Sequence, residues 1–400
     1  MLFEPANLSD QKAKIIVVGV GGGGGNALNR MIQDGMNSVD FIAINTDAQD
    51  LENNNSQIKL QIGKELTKGL GAGANSEIGK HAVEENKDII IDELDQADMI
   101  FITAGMGGGT GTGAAPAIAK IAREIGALTV GIVTKPFAFE GPIRKKRALD
   151  GIKEMKKNCD TLLVIPNETL LELSAEDTTV TESFKLADSI LNQATKGISD
   201  LINKPGLINL DFADVRTIMK NMGDAIMGSG IASGEEKATF AAQQAINSPL
   251  LQNASIKGAK GLLVNVTGPK NMTMRELTSA SNIIYQEAGE DANVILGCVI
   301  DTELTDEIRI TVIATGLNSE NHPEFYDPYT DDEIKNKYLL HSTSIEDLDI
   351  DVDIDKKRIL NEETSNNDKG EKKENIIKNE NIMKFGDDLD IPTFLRNRKI

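Results

Sequence analysis

The sequence predicts an α/β protein. Its first domain is built on a parallel sheet, joined by one long helix to a second α/β domain and followed by an acidic tail. Three observations carry this. Five short apolar runs in the first half, at 15–18, 41–44, 99–102, 128–133 and 162–165, alternate with helix-like stretches. They are nearly all apolar instead of alternating, as strands covered by helices on both faces must be. Next comes a 3.6-residue period over 181–203, with Phe184, Ala187, Ile190, Leu191, Ala194, Ile198, Leu201 and Ile202 on one stripe, closed by Lys204-Pro205-Gly206. Lastly, all 36 glycines except Gly370 and Gly386 fall at or before Gly316, so the folded part is expected to end near residue 317.

Taken in order, the run at 15–18 leads into Gly19-Val20 and five consecutive glycines, with a helix expected from about Ala27. The run at 99–103 leads into a second glycine string, with a helix expected over 114–124. Pro142 suits the first turn of a helix that follows. Beyond the long helix lie strand-like runs at 261–266, 294–300 and 308–314, with helix-like stretches at 235–247 and 274–288 between them. The expected organisation is an N-terminal tail at 1–13, a parallel-sheet domain at 14–180, a central helix at 181–204 and a C-terminal α/β domain at 205–318. A disordered linker at 319–385 and a terminal peptide at 386–400 follow. Residues 320–385 hold 18 acidic and 10 basic side chains with little periodicity, which is the composition of a solvated linker. The alternating stretch Leu348-Asp349-Ile350-Asp351-Val352-Asp353-Ile354-Asp355 within it is read the same way.

Composition excludes several functions. Acidic residues number 62 against 42 basic, a formal charge of -20, so nonspecific binding to nucleic-acid backbones or anionic lipid would oppose the net field. Cys159 and Cys298 stand far apart with no CxxC spacing, which removes a disulfide framework and a cysteine-based zinc site. With three histidines in all, histidine-based catalysis or metal binding is not expected. No apolar run approaches the ~18 residues of a membrane span, and the first residues lack a signal-peptide pattern, so a cytoplasmic protein is expected.

The chemistry is written in glycine. Ile15-Ile16-Val17-Val18-Gly19-Val20-Gly21-Gly22-Gly23-Gly24-Gly25-Asn26 is a strand running into glycines, whose backbone N–H groups can face an anion at a helix N-terminus. Alone it also satisfies GxGxxG, so a Rossmann-type NAD-dependent oxidoreductase is the alternative reading, and a bare glycine turn is a third. The second string, Gly107-Gly108-Gly109-Thr110-Gly111-Thr112-Gly113, changes the balance. A dinucleotide fold needs one such loop for a pyrophosphate. Two at one sheet edge, with the Thr110 and Thr112 hydroxyls added, suit a triphosphate held from two sides. No GxxxxGK[ST] is present, so this is not a P-loop protein.

Six segments in order, GVGGGGGNA, NTDAQDL, KGLGAGAN, GGGTGTG, PF-x-FEG and NLDFADV, resemble the FtsZ family of bacterial cell-division GTPases, relatives of tubulin. The resemblance covers roughly 12–317 plus the terminal peptide. It implies a GTP-hydrolysing enzyme that polymerises head-to-tail into filaments of the division ring at mid-cell. Gly22, Gly23, Gly24, Gly25 and Asn26 would then lie at the nucleotide, Ala72 and Gly73 near the γ-phosphate, and Gly108, Gly109, Thr110 and Gly111 around the phosphates. Glu140 and Arg144 would meet the ribose and phosphate region, although Pro142-Ile143 between them depart from the commonest family form, and Asn167 joins the nucleotide set. Phe184 and Asp188, at i and i+4, share a helix face where a ring can stack on a purine and a carboxylate can accept from guanine N1 and N2. Core packing for Phe184 and a solvated charge for Asp188 are their ordinary readings. Mg²⁺ is expected to arrive with GTP or GDP, with no protein metal ligands.

Asn209, Asp211 and Asp214 follow the long helix. From Asp188 to Lys204 is about 24 Å at 1.5 Å per residue, so Asp211 and Asp214 cannot reach the phosphates of their own subunit. The family implicates both acids in catalysis, here on the nucleotide of the next molecule. The plainer reading, an N-cap by Asp211 or Asp214 on a helix over 215–222, is compatible through different oxygens. Such a contact between unlike faces repeats without closing, which is a filament. The terminal peptide, with Leu389, Ile391, Pro392, Phe394 and Leu395, resembles the family segment that meets membrane-tethering and regulatory division proteins. Neither direct nucleic-acid binding nor membrane insertion is expected.

Overall fold

A computed structural model describes residues 12–317, apart from 173, 175–176, 205, 209, 252–255 and 290–291. The linker at 319–385, the peptide at 386–400 and Asn209 therefore lie outside the described residues.

Ten strands form one sheet: β1 (Ile15–Val20), β2 (Asp40–Asn45), β3 (Ile58–Gln61), β4 (Met99–Gly105), β5 (Leu128–Lys135), β6 (Thr161–Pro166), β7 (Gly223–Ser233), β8 (Gly261–Gly268), β9 (Asn293–Ile300) and β10 (Glu307–Thr315). Their order is β3-β2-β1-β4-β5-β6-β7-β10-β8-β9. The first six are parallel, in the 3-2-1-4-5-6 order of a doubly wound sheet, and the direction of winding reverses between β1 and β4. That order puts the switch point between the two strands that end in glycine strings. The second α/β part follows the long helix as expected, and its strands extend the sheet of the first, β7 pairing parallel with β6 and antiparallel with β10.

The helices are α1 (Gly21–Gln33), α2 (Ala48–Glu52), α3 (Lys64–Thr67), α4 (Ser76–Glu85), α5 (Lys87–Leu94), α6 (Thr110–Glu124), α7 (Pro142–Asn158), α8 (Asn167–Glu172), α9 (Val180–Asn203), α10 (Phe212–Met219), α11 (Lys237–Ile246) and α12 (Met274–Ala288). The 24-residue α9 is about 36 Å long and opens with a capping box in which Thr179 and Glu182 satisfy each other's backbone N–H groups. Its stripe buries Ala187, Ile190, Leu191, Ala194, Ile198 and Leu201 together with α1 and α10 on one face of the sheet. A second cluster gathers α4–α7 on the opposite face of the parallel part, and a third holds α11 and α12 against β8 and β10.

Two helix starts differ from the expectation. α1 begins at Gly21, not Ala27, and α6 at Thr110, not Ala114, so Gly21–Gly25 form the first turns of α1, and Gly111 and Gly113 lie in the first turn of α6 behind the turn of Gly107–Gly109. The cause is close packing. A Cβ on Gly24 would stand 2.5 Å from Thr103 O, one on Gly23 3.1 Å from Gly105 N, and one on Gly111 2.7 Å from Gly105 O. Glycine lets both helices press onto the ends of β1 and β4, leaving the first N–H groups of each unpaired within the helix.

Candidate nucleotide site

The carboxyl ends of β1, β2, β4, β5 and β6 carry the candidate residues, and α9 begins beside them. At the N-terminus of α1, Gly22, Gly23 and Asn26 are exposed, whereas Gly24 and Gly25 are buried and serve the helix's approach to the sheet. Across the switch point, Gly108 is half-buried with no atom within 4 Å of the place a Cβ would take, so nothing within the chain demands glycine there. The open space is what an anion occupying the turn would need. Gly109 and Gly111 are buried, Gly109 because Ala72 Cβ and Asn75 N stand 2.8 and 2.9 Å from its would-be Cβ. That contact brings the loop of Ala72 and Gly73 to the second glycine turn. Ala72 is buried and accepts from Asn75 N at 3.0 Å, and exposed Gly73 takes a φ of 56°.

The two threonine hydroxyls are used otherwise than expected. Thr110 Oγ1 shares a 2.6 Å hydrogen bond with Thr46 Oγ1, and Thr112 Oγ1 accepts from Gly107 N at 2.8 Å. Both are buried and pin the turn. Gly107 has a φ of 105°, and its would-be Cβ lies 2.7 Å from Arg144 Cγ, so its smallness lets α7 close over the turn.

Glu140 and Arg144 keep their spacing across Pro142, which starts α7 as expected. Arg144 Nε lies 2.9 Å from Glu140 Oε2, and Glu140 Oε1 accepts from Phe137 N at 2.9 Å. Phe137, Phe139 and Phe184 form one ring cluster: Phe137 and Phe139 stack at 5.2 Å, and Phe184 meets Phe137 edge-on at 5.3 Å. Phe184 is 42% exposed, so it is not core; its ring is oriented by its neighbours with a face left open. One turn on, burial pushes the Asp188 carboxyl up to about 6, against the pull of Arg30. Asn167, at the end of β6, is buried, and its Oδ1 has no partner. An orphaned acceptor at this edge fits a ligand that brings hydrogen-bond donors.

Sequence reasoning missed the contribution of β2. Asn45, Thr46 and Asp50 stand at its end; Asn45 Nδ2 donates to Asp50 Oδ2 at 2.5 Å, and that oxygen is 3.5 Å from the would-be Cβ of Gly22. Burial and neighbouring Asp47 push the Asp50 carboxyl up. Its segment, NTDAQDL, supplies the signal, but an acid beside an anion site is not an obvious ligand. Among the described residues no group of three or more His, Cys, Asp or Glu side chains is arranged to hold a metal ion.

Asp211 and Asp214 lie elsewhere. Both are exposed, and Asp211 is the N-cap of α10, accepting from Asp214 N at 2.9 Å, so the capping reading holds for Asp211 and not for Asp214. α10 is fastened to the amino edge of the parallel sheet. Thr161 Oγ1, at the start of β6, donates to Met219 O at 2.5 Å, and Arg216 Nη2 reaches Gly126 O, before β5, at 3.4 Å. β5 runs eight residues, or roughly 26 Å, from that edge to the glycine turns. The structure thus gathers the glycine, Phe184 and Asp188 candidates at one end of the sheet and fastens at the other the C-terminal turn of α10, the helix that Asp211 and Asp214 open.

Two glycine helix starts flanking a switch point, a purine-sized aromatic and carboxylate pair and a long helix leading away define the tubulin-like class of GTPase. Residues 14–175 match the Tubulin/FtsZ family, GTPase domain, and residues 223–318 match the FtsZ family, C-terminal domain. The chain is similar to the solved structure of an FtsZ dimer from M. jannaschii, with 44% identity over 78% of this chain and 90% of that one and a TM-score of 0.75. CetZ2 from Haloferax volcanii, solved as a GTPγS-bound protofilament, shares the fold at 19% identity over 83% of this chain and 99% of that one, with a TM-score of 0.65. The chain belongs to the FtsZ family and is a GTPase.

Proposed function

We propose that the chain polymerises head-to-tail into filaments that build a division ring, and that each subunit's Asp211 and Asp214 complete the GTP site of its neighbour. The observation that supports this is that the 24-residue α9 leads away from Phe184 and Asp188 and the helix opened by the two acids is fastened at the amino edge of the sheet, opposite the glycine turns. Groups that far apart cannot act on one phosphate within a subunit, whereas stacking subunits end to end joins the two ends. The CetZ2 protofilament and the M. jannaschii FtsZ dimer agree with such stacking.

In this reading Gly22, Gly23, Asn26, Gly108 and the first N–H groups of α6 hold the phosphates, Glu140 and Arg144 flank them, and Phe184, Asp188 and Asn167 hold the guanosine. Asp214 and the oxygen of Asp211 not engaged in capping orient the attacking water. Mg²⁺ carried by the nucleotide would neutralise β- and γ-phosphate charge. The C-terminal peptide would connect filaments to membrane-tethering and regulatory proteins. Removing 386–400 should leave polymerisation intact, and loss of polymerisation would contradict that role.

The test is phosphate release from GTP and from ATP over a series of protein concentrations, with light scattering in parallel. Activity per molecule with GTP should rise above a threshold together with scattering and collapse in Asp214→Ala despite retained GTP binding. Activity that is flat with concentration would mean that each subunit hydrolyses alone.

A further inference from the structure

At the amino edge of the sheet one side chain joins three elements. Arg123, in the last turn of α6, donates from Nη1 to Lys157 O at 3.1 Å and from Nη2 to Asn221 Oδ1 at 2.9 Å, with Nε 3.8 Å from Asp160 Oδ1. Asp160 is 5% exposed and holds its own place by accepting from Thr129 N at 2.9 Å. Asn221 stands two residues beyond α10 with a φ of 57°, a left-handed turn conformation that asparagine tolerates better than most residues with a side chain. The chain then enters β7 through Gly223 N, which donates to Asp160 O at 2.9 Å. From the other side, Arg216 of α10 reaches back to Gly126 O, just past the end of α6.

We propose that Arg123 is a positioning residue for hydrolysis: from the far end of α6 it fixes the turn after α10 and thereby the place where Asp211 and Asp214 stand. This rests on the reading that the two acids serve the neighbour's nucleotide. α6 begins in the second glycine turn and runs 15 residues, about 22 Å, to the opposite edge of the sheet. It is a strut with the phosphate turn of one site at its N-terminus and the acids destined for another governed from its C-terminus. Buried Val215, Ile218 and Met219 seat α10 against the core, and Thr161 Oγ1 and Thr315 Oγ1 donate to Met219 O and Ile218 O, so the helix is held chiefly at its C-terminal turn, the end next to Asn221. The acids sit at the opposite end of this eight-residue helix from Asn221, a lever of about 12 Å, so a tilt of about 5° moves them by about 1 Å. A displacement of that size costs on the order of 100-fold in rate where a water must be held in line.

The experiment compares Arg123→Gln and Asn221→Gly with the natural protein. The second suits the backbone φ of 57° and removes only the acceptor, so it remains informative if the first fails to fold. GTP affinity and the amount of polymer sedimented should stay within about twofold, while phosphate release per polymerised subunit falls roughly 10–100-fold. Each variant is then mixed with Gly108→Glu, in which the side chain enters open space and blocks the phosphate turn but leaves the acids intact. Asp214→Ala is mixed with it as the reference. Phosphate release by the Arg123 mixture above the sum of its parts supports the proposal, because intact acids have then served the Arg123→Gln subunit's own sound nucleotide site. Rescue of Asp214→Ala without rescue of the Arg123 and Asn221 variants would overturn the inference alone. Rescue of none would overturn the shared site itself, and unchanged phosphate release in both variants would leave Arg123 a packing residue.

Discussion

Glu140 and Arg144 face each other across the Gly141-Pro142 junction, with Arg144 Nε 2.9 Å from Glu140 Oε2. The carboxylate also fixes Phe137, through its backbone N–H, so one acid sets both the Arg144 cation and the ring cluster, which the proposed site puts at the phosphates and at the base. Glu140→Ala should therefore weaken GTP binding more than Arg144→Ala, by about tenfold against a few-fold, since the first frees both Arg144 and Phe137 whereas the second removes one half-exposed cation beside the proposed phosphates. Equilibrium binding of the two variants checks the order.

Asp188, placed at guanine in the proposed site, should make nucleotide affinity depend on pH. An unfolded aspartate ionises near 3.9, whereas burial raises this one to about 6. Between about pH 4 and 6 the folded, nucleotide-free protein retains a proton that the unfolded chain has lost, so this group's contribution to stability falls as pH rises through that window. Asp188→Asn should melt higher than the natural protein at pH 7 and no higher at pH 3.5. Guanine's donors select the ionised form, so GTP affinity should drop by up to about tenfold per pH unit below 6 in the natural protein, and that dependence should vanish in Asp188→Asn.

The glycines divide by experiment. Gly24→Ala drives a methyl to 2.5 Å from Thr103 O and 2.8 Å from Gly19 C, both backbone, so the protein should lose about 1–3 kcal/mol of stability. Gly108→Ala meets nothing, so it should melt normally and bind GTP several-fold more weakly. Equal melting temperatures for the two would contradict the division.

Asp211 and Asp214 should separate likewise. Asp211→Ala removes the N-cap and should cost about 0.5–2 kcal/mol, Asp211→Asn should retain most of it, and Asp214→Ala should leave folding unchanged. All three should lower GTP turnover in polymer, so melts and phosphate release together distinguish cap from charge.

Lys237 clamps the second part of the sheet: its buried Nζ lies 2.7 Å from Asp306 Oδ1 and 3.5 Å from Glu276 Oε1. The ammonium, together with backbone donors, holds both carboxyls below their usual range. Their contribution is present above the unfolded carboxylate range and is lost as pH falls below about 4. Lys237→Met should thus lower the melting temperature by a few degrees at pH 7 and change it less at pH 3.5.

Much of this was legible in the sequence, for definable reasons. Uninterrupted apolar runs betray strands buried on both faces, and the stripe from Phe184 to Ile202 gives α9 to within a residue of its observed start at Val180. β7 was not legible, because Gly223, Gly228 and Gly230 read as loop. Gly228 and Gly230 are there because Ala245 O and Ala241 O of α11 crowd the strand, a tertiary contact with no local signature. β3, four residues with no buried position, carries too little apolar pattern to be seen. At the site, glycine strings announce an anion turn but not where the helix starts, which depends on how closely α1 and α6 approach Thr103 and Gly105. Nor do Thr110 and Thr112 reveal that their hydroxyls are spent within the protein.

The continuity of the sheet has a mechanical corollary. β6 and β7 are joined over three paired residues, Thr161–Leu163 with Gly223–Ala225, whereas β4 and β5 pair over seven and β7 and β10 over nine. In a filament that bends, load crossing from the half that holds GTP to the half that follows passes through this narrowest seam. That seam lies beside the turn that Arg123 grips, so in such a filament bending would load the sheet close to the turn that sets α10.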